Sequence, residues 1–129
     1  MTYYSRYVDD IFIVCNNQQH AINLLEFFNE AHPNIHFTME HEKENMFHFL
    51  DIAIKQRKDG TVQRSVYKKD TWNGIYLNFN SFCPINYKNT LVKTLFHRTE
   101  RICTSDTIEE EIMNVKKCLR NIRIPIEIH

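Results

Sequence analysis

The stretch Tyr3-Tyr4-Ser5-Arg6-Tyr7-Val8-Asp9-Asp10-Ile11-Phe12-Ile13-Val14-Cys15 decides how the rest of this chain is read. Aromatic and β-branched residues stand on both sides of two adjacent carboxylates. Such flanks predict two short strands, or one long one. Two anions placed side by side repel each other and lose hydration unless a cation compensates them. Hard divalent ions such as Mg²⁺ bind through oxygen ligands, so neighbouring Asp side chains suit them. Most Asp-Asp pairs, however, lie in solvated turns between strands. The dipeptide alone leaves a plain turn and a ligand pair both open.

Periodicity organises the chain beyond Cys15. Asn16-Asn17 precedes Ala21, Leu24, Leu25 and Phe28, which gives an N-cap and one apolar helical face. The helix should end near Ala31, because Pro33 restricts the residue before it. Ile35, Phe37 and Met39 alternate with polar residues and predict a half-buried strand. The polar run His41 to Asn45 reads as a turn. Phe47 to Ile54 reads as one further strand, with Leu50, Ile52 and Ile54 on one face and Phe47, Phe49 and Ala53 on the other. Asp51 inside it needs a nearby Lys or Arg, or a place at the strand's exposed edge. Asp59-Gly60 is a strong hairpin signal, with Thr61 to Tyr67 as the returning strand. Hairpin, helix, strand, strand, strand is the order of an antiparallel α+β unit.

The tail is helical. Asn86 to Ile102 carries apolar Leu91, Leu95 and Ile102 beside basic Lys88, Lys93, Arg98 and Arg101. Thr104-Ser105-Asp106 reads as a break and an N-cap, and Thr107 with Glu110 as a weak capping box. Glu109 to Glu111 complement the start of the next helix dipole, and Lys116, Lys117 and Arg120 its end. Ile108, Ile112, Val115 and Leu119 form its apolar stripe, and Pro125 stops it. Two helices with a short break form a thumb-like hairpin or a helix-turn-helix-like module. Either would offer basic side chains to a nucleic-acid backbone. A plain helical hairpin with solvated charges fits equally well.

The formal net charge is zero, but it is segregated. Residues 1–51 hold two Lys/Arg against eight Asp/Glu, whereas residues 52–103 hold ten against three. An acidic part beside a basic part suits a protein that holds cations in one place and phosphates in another. Cys15, Cys83, Cys103 and Cys118 are widely spaced, which argues against a zinc ribbon and for reduced thiols. His32, His36 and His41 read as surface or turn residues. No leader peptide and no apolar run of transmembrane length is visible in the sequence. The expectation is an intracellular protein, the nucleus being one candidate compartment, with no membrane partner.

Arg6-Tyr7-Val8-Asp9-Asp10-Ile11-Phe12 resembles the catalytic hairpin of reverse transcriptases, Tyr-x-Asp-Asp between two hydrophobic strands. Three further segments, in the right order, resemble the reverse transcriptases of Penelope-like retroelements. They are Phe47-His48-Phe49-Leu50-Asp51-Ile52-Ala53-Ile54, Ser65-Val66-Tyr67-Lys68-Lys69, and the block Tyr76 to Ser81 with Pro84, Lys88, Thr94-Leu95 and His97-Arg98. Asp70 stands where that family usually has Pro, and Trp72 lies near its usual His.

The resemblance implies an α+β fold, a partial palm over residues 1–70 and a helical thumb-like or helix-turn-helix-like region over 71–129. It implies a fragment of an RNA-directed DNA polymerase. Asp9 and Asp10 would be its catalytic and metal-binding acids; in the active-site hairpin, Tyr7 would help shape the turn and Val8 would lie close to the primer end. Mg²⁺ or Mn²⁺ would serve the complete enzyme. Such palms take a third Asp from an upstream strand, for which six residues before Tyr7 leave no room. A separate N-terminal palm and fingers segment is therefore an expected partner, and the chain alone is expected to be inactive. Tyr67, Lys68, Lys69, Lys88, Lys93, Arg98 and Arg101 would contact an RNA or DNA template–primer duplex. Two other readings stand beside this one: a helix-turn-helix-like module that only binds nucleic acid, and a nonfunctional retroelement remnant.

Overall fold

A two-residue loop, Val8-Asp9, turns the opening run back on itself. Strand β1 (Tyr3–Tyr7) pairs antiparallel with β2 (Asp10–Val14), and Tyr7 lies opposite Asp10. Val8 takes a φ of 51°. Positive φ at the first of two loop residues is the sign pattern of a type II′ turn, where Gly is preferred. The computed structural model describes residues 2–124, so the expected stop at Pro125 lies outside the described residues. Among them the elements continue as α1 (Gln18–Glu30), β3 (Met46–Phe49), β4 (Ile52–Gln56), β5 (Val62–Val66), α2 (Ile85–Ile102) and α3 (Ile108–Asn121). The class is α+β. The strands form two antiparallel sheets, β1-β2 and β3-β4-β5. The chain groups into two compact units, Met1–Glu42 and Lys43–His129.

In the first unit, Asn17 caps α1 as its sequence predicts. Its side-chain oxygen accepts the His20 N–H at 2.8 Å, and the helix closes at Ala31. The strand expected over Ile35, Phe37 and Met39 does not form. Among the described residues, that segment has no partner strand. The Asn29 side chain satisfies it instead, accepting the Phe37 N–H at 2.6 Å and donating to the Phe37 carbonyl at 3.2 Å. Of the three apolar residues, Phe37 packs on Phe28 with ring centroids 5.4 Å apart and Met39 is half-buried, whereas Ile35 is exposed. Alternation specifies a face, not a ladder.

In the second unit, Phe47 to Ile54 is two strands rather than one. The chain reverses at Leu50-Asp51, where Leu50 has a φ of 53°, and Phe49 lies opposite Ile52. Both faces of the run carry apolar residues, so the pattern hides the turn. A second tight turn at Glu44-Asn45, with φ of 53° and 61°, leads into β3. The Asp59-Gly60 turn falls as expected: Gly60 has a φ of 85°, and Asp59 accepts both the N–H and the hydroxyl of Thr61.

The core of this unit lies between α2, α3 and the segment before α2. Leu95, Val115, Leu119, Ile122 and Ile124 are buried, with Tyr76, Phe79, Leu91, Val92 and Phe96 packed against them. Residues 115, 119 and 122 recur at helical spacing, so one stripe of α3 and its exit turn enters the core. The Phe79 N–H donates to the Ile122 carbonyl at 3.0 Å, tying the segment before α2 to the end of α3.

Candidate nucleic-acid interface

Asp9 is the second loop residue of the first hairpin, and Asp10 opens β2. Both side chains are exposed, as are Tyr7 and Val8. Neither acid has an ion-pair partner among the described residues. Adjacent exposed carboxylates at a hairpin tip can supply two oxygen ligands to a hard divalent ion, with water or substrate phosphates supplying the rest. Among the described residues, no group of three or more His, Cys, Asp or Glu side chains is gathered where it could hold a metal.

The basic residues singled out from the sequence divide into two classes. Lys68, Lys88 and Arg98 are engaged inside the second unit. Lys68 Nζ lies 2.8 Å from Glu111 Oε1 and 4.7 Å above the Trp72 ring. Lys88 donates to the Phe79 and Ser81 carbonyls and sits over the Phe79 ring. Arg98 pairs with Asp51 at 3.1 Å, which supplies the cation that Asp51 needs. Tyr67 is half-buried, and its ring meets His48 edge-on at 4.1 Å. Tyr76 packs against Trp72 with ring centroids 5.5 Å apart, and burial pushes its phenol above the ordinary pKa. By contrast, Lys69, Lys93 and Arg101 are exposed and have no carboxylate partner among the described residues.

Lys93 and Arg101 belong to one ridge. Positions 93, 97 and 101 are one turn apart, so Lys93, His97 and Arg101 line up along the solvent side of α2. All three are exposed, together with Asn86, Asn89, Thr90 and Thr94. Glu100, at the edge of this arc, is the only acid in α2. The solvent side of α3 has a different character. It opens with exposed Glu109 and Glu110, passes Met113, and ends with Lys117 and Arg120.

The turn between the two helices is docked on the outer edge of β5. The Thr104 N–H donates to the Arg64 carbonyl at 3.1 Å, and the Arg64 N–H donates to the Thr104 hydroxyl at 3.3 Å. The Thr107 hydroxyl also donates to the Arg64 carbonyl, at 2.6 Å. The capping box expected at Thr107 is not made: its backbone is already in the helical region (φ −112°, ψ −14°), whereas an N-cap residue is extended, and its side chain makes no cap hydrogen bond. Asp106 accepts from Thr104 at 2.6 Å and from Arg57 and Gln63, each at 2.7 Å. The Thr104 hydroxyl, with the Arg57 guanidinium, holds the Asp106 carboxyl down at about 2. This dock hides an edge strand that would otherwise offer unpaired backbone groups.

Sequence reasoning missed Glu111 and Asp106. A signal for the first exists: Glu111, Val115 and Leu119 are spaced four apart, which places an acid on the buried stripe of α3. An acid there needs a cation. Asp106 has one local partner, Thr104, but its other two, Arg57 and Gln63, lie more than forty residues away and gave no signal in the sequence.

Residues 75–123 match the family model described as the animal helix-turn-helix domain. The match covers the segment before α2, both helices and the docked turn, which hold the buried core except for Ile124. No curated protein and no solved structure matches the chain. Among the described residues, no helix is long and apolar enough to cross a membrane.

Proposed function

We propose that this chain binds double-stranded nucleic acid through its helical region. The observation that carries the reading is the α2 ridge of Lys93, His97 and Arg101, exposed and almost free of acids, inside the segment that matches a helix-turn-helix family. Cations that hold the fold together are engaged by Glu111, Asp51 and backbone carbonyls, so the ridge cations are left for phosphates. Binding measured by fluorescence anisotropy should weaken with salt, because each phosphate neutralised releases counterions. Asp9→Ala should leave it unchanged. Binding that is absent, or indifferent to salt, overturns the proposal.

A second reading is favoured by the Tyr7-Val8-Asp9-Asp10 hairpin. In it, the chain is the late palm and the thumb of a reverse transcriptase of the Penelope-like kind, and the duplex is a template–primer. Asp9 and Asp10 would hold Mg²⁺ or Mn²⁺, which would activate the primer 3′-hydroxyl and neutralise the triphosphate. The chain's own contribution is to present two carboxylates without an ion-pair partner among the described residues on a tight turn, while α2 holds the duplex without reading its sequence. A third acid and a fingers region, on the same polypeptide or another, would complete the site. Primer extension with Mn²⁺ and that region present tests it: activity should appear and disappear again in Asp9→Ala.

A further inference from the structure

We infer that a nucleic-acid duplex meets this chain along the α2 ridge, on its phosphate backbone, and not at the N-terminal turn of α3. This binding mode deepens the proposed duplex binding and rests on it. A DNA-binding helix-turn-helix places its second helix in the major groove, and in the well-known examples the first residues of that helix contact the bases. Here that end is already occupied. Thr104 and Thr107 are hydrogen-bonded to Arg64 on the edge of β5, and Asp106 is held by Arg57 and Gln63. To enter a groove, this end would have to abandon those bonds or bring the edge of a sheet in with it.

Charge points the same way. The first solvent-facing residues of α3 are Glu109 and Glu110, which repel phosphates flanking a groove. The cations of α3, Lys117 and Arg120, lie at its other end. On α2, Lys93 and Arg101 flank His97, and Asn86, Asn89 and Thr94 add polar groups along the same exposed arc. Arg101 lies eight positions after Lys93, about 12 Å along the helix axis. Such a row of point charges and amides fixes register on a duplex without distinguishing its bases.

The test uses the whole chain and short DNA duplexes of unrelated sequence. Affinity is measured over a range of salt for the wild type, for Lys93→Ala/Arg101→Ala and for Lys117→Ala/Arg120→Ala. All four sites are exposed, so each variant should keep the wild-type thermal transition. The α2 pair should reduce the slope of log affinity against log salt by about two, and the α3 pair should leave it within error. The duplexes should bind alike. Loss through the α3 pair with the α2 pair silent overturns this binding mode while leaving nucleic-acid binding intact. A tenfold preference for one sequence does the same. Failure of the wild type to bind any duplex in a salt-dependent way overturns both readings.

Discussion

Val8 is the residue at which the opening run accepts conformational strain for a tight reversal. A β-branched side chain at a φ of 51° crowds its own backbone, at a cost of roughly 1–2 kcal/mol. At an ordinary position Ala is more stabilising than Gly. At Val8 the order should reverse, with Val8→Gly holding the hairpin more firmly than Val8→Ala by about 1 kcal/mol. Hydrogen exchange of the β1 and β2 amides reads this directly, and equal protection in the two variants would deny the strain. Asp106 makes a second prediction at this scale. Its folded pKa of about 2 lies below its ordinary value of 3.8. The stabilisation is therefore present above about pH 4 and is lost as pH falls towards 2. Asp59, lowered mainly by its bond from the Thr61 hydroxyl, acts in the same direction. Asp106→Asn should melt below the wild type at neutral pH and converge with it near pH 2.

A charge pair in a partly dry place joins the segment just after β5 to α3. Glu111 has a side chain only 10% exposed and Lys68 one 22% exposed. A pair so placed is worth more than a surface ion pair, and removing one member strands the other. Lys68→Met should destabilise the second unit by about 2–3 kcal/mol in chemical denaturation. Lys68→Met/Glu111→Leu should cost less than the two single changes together, and strict additivity would show that the pair does not couple them. The hairpins illustrate what one element reveals by itself. Asp59-Gly60 announced its turn because Gly takes positive φ without a steric penalty. Leu50-Asp51 did not, because Leu is an unusual residue there and the apolar run continues through it. Only the pairing of Phe49 with Ile52 separates one strand from two.

The second unit is organised around a small, largely helical core, and its centre is Leu119, which is 0% exposed. Leu119→Ala should cost about 3–4 kcal/mol and should lower the cooperative transition of the unit as a whole. A broad, non-cooperative melt of the wild type would instead favour a poorly folded retroelement remnant. The hairpin acids, the capped first helix, the Gly turn, the extent of α2, the start of α3 and the α+β class were legible along the chain. Each depends on neighbours within a few residues: a cap, a helical stripe, a turn residue. Which cations remain free was not legible. Lys68, Lys88 and Arg98 looked the same as Lys93 and Arg101 until Glu111, the Phe79 carbonyl and Asp51 were brought beside them. The docking of Thr104 on Arg64 was equally hidden. A side chain's local pattern predicts its face and its backbone state, whereas its charge partner comes from a distant part of the chain that only packing brings near.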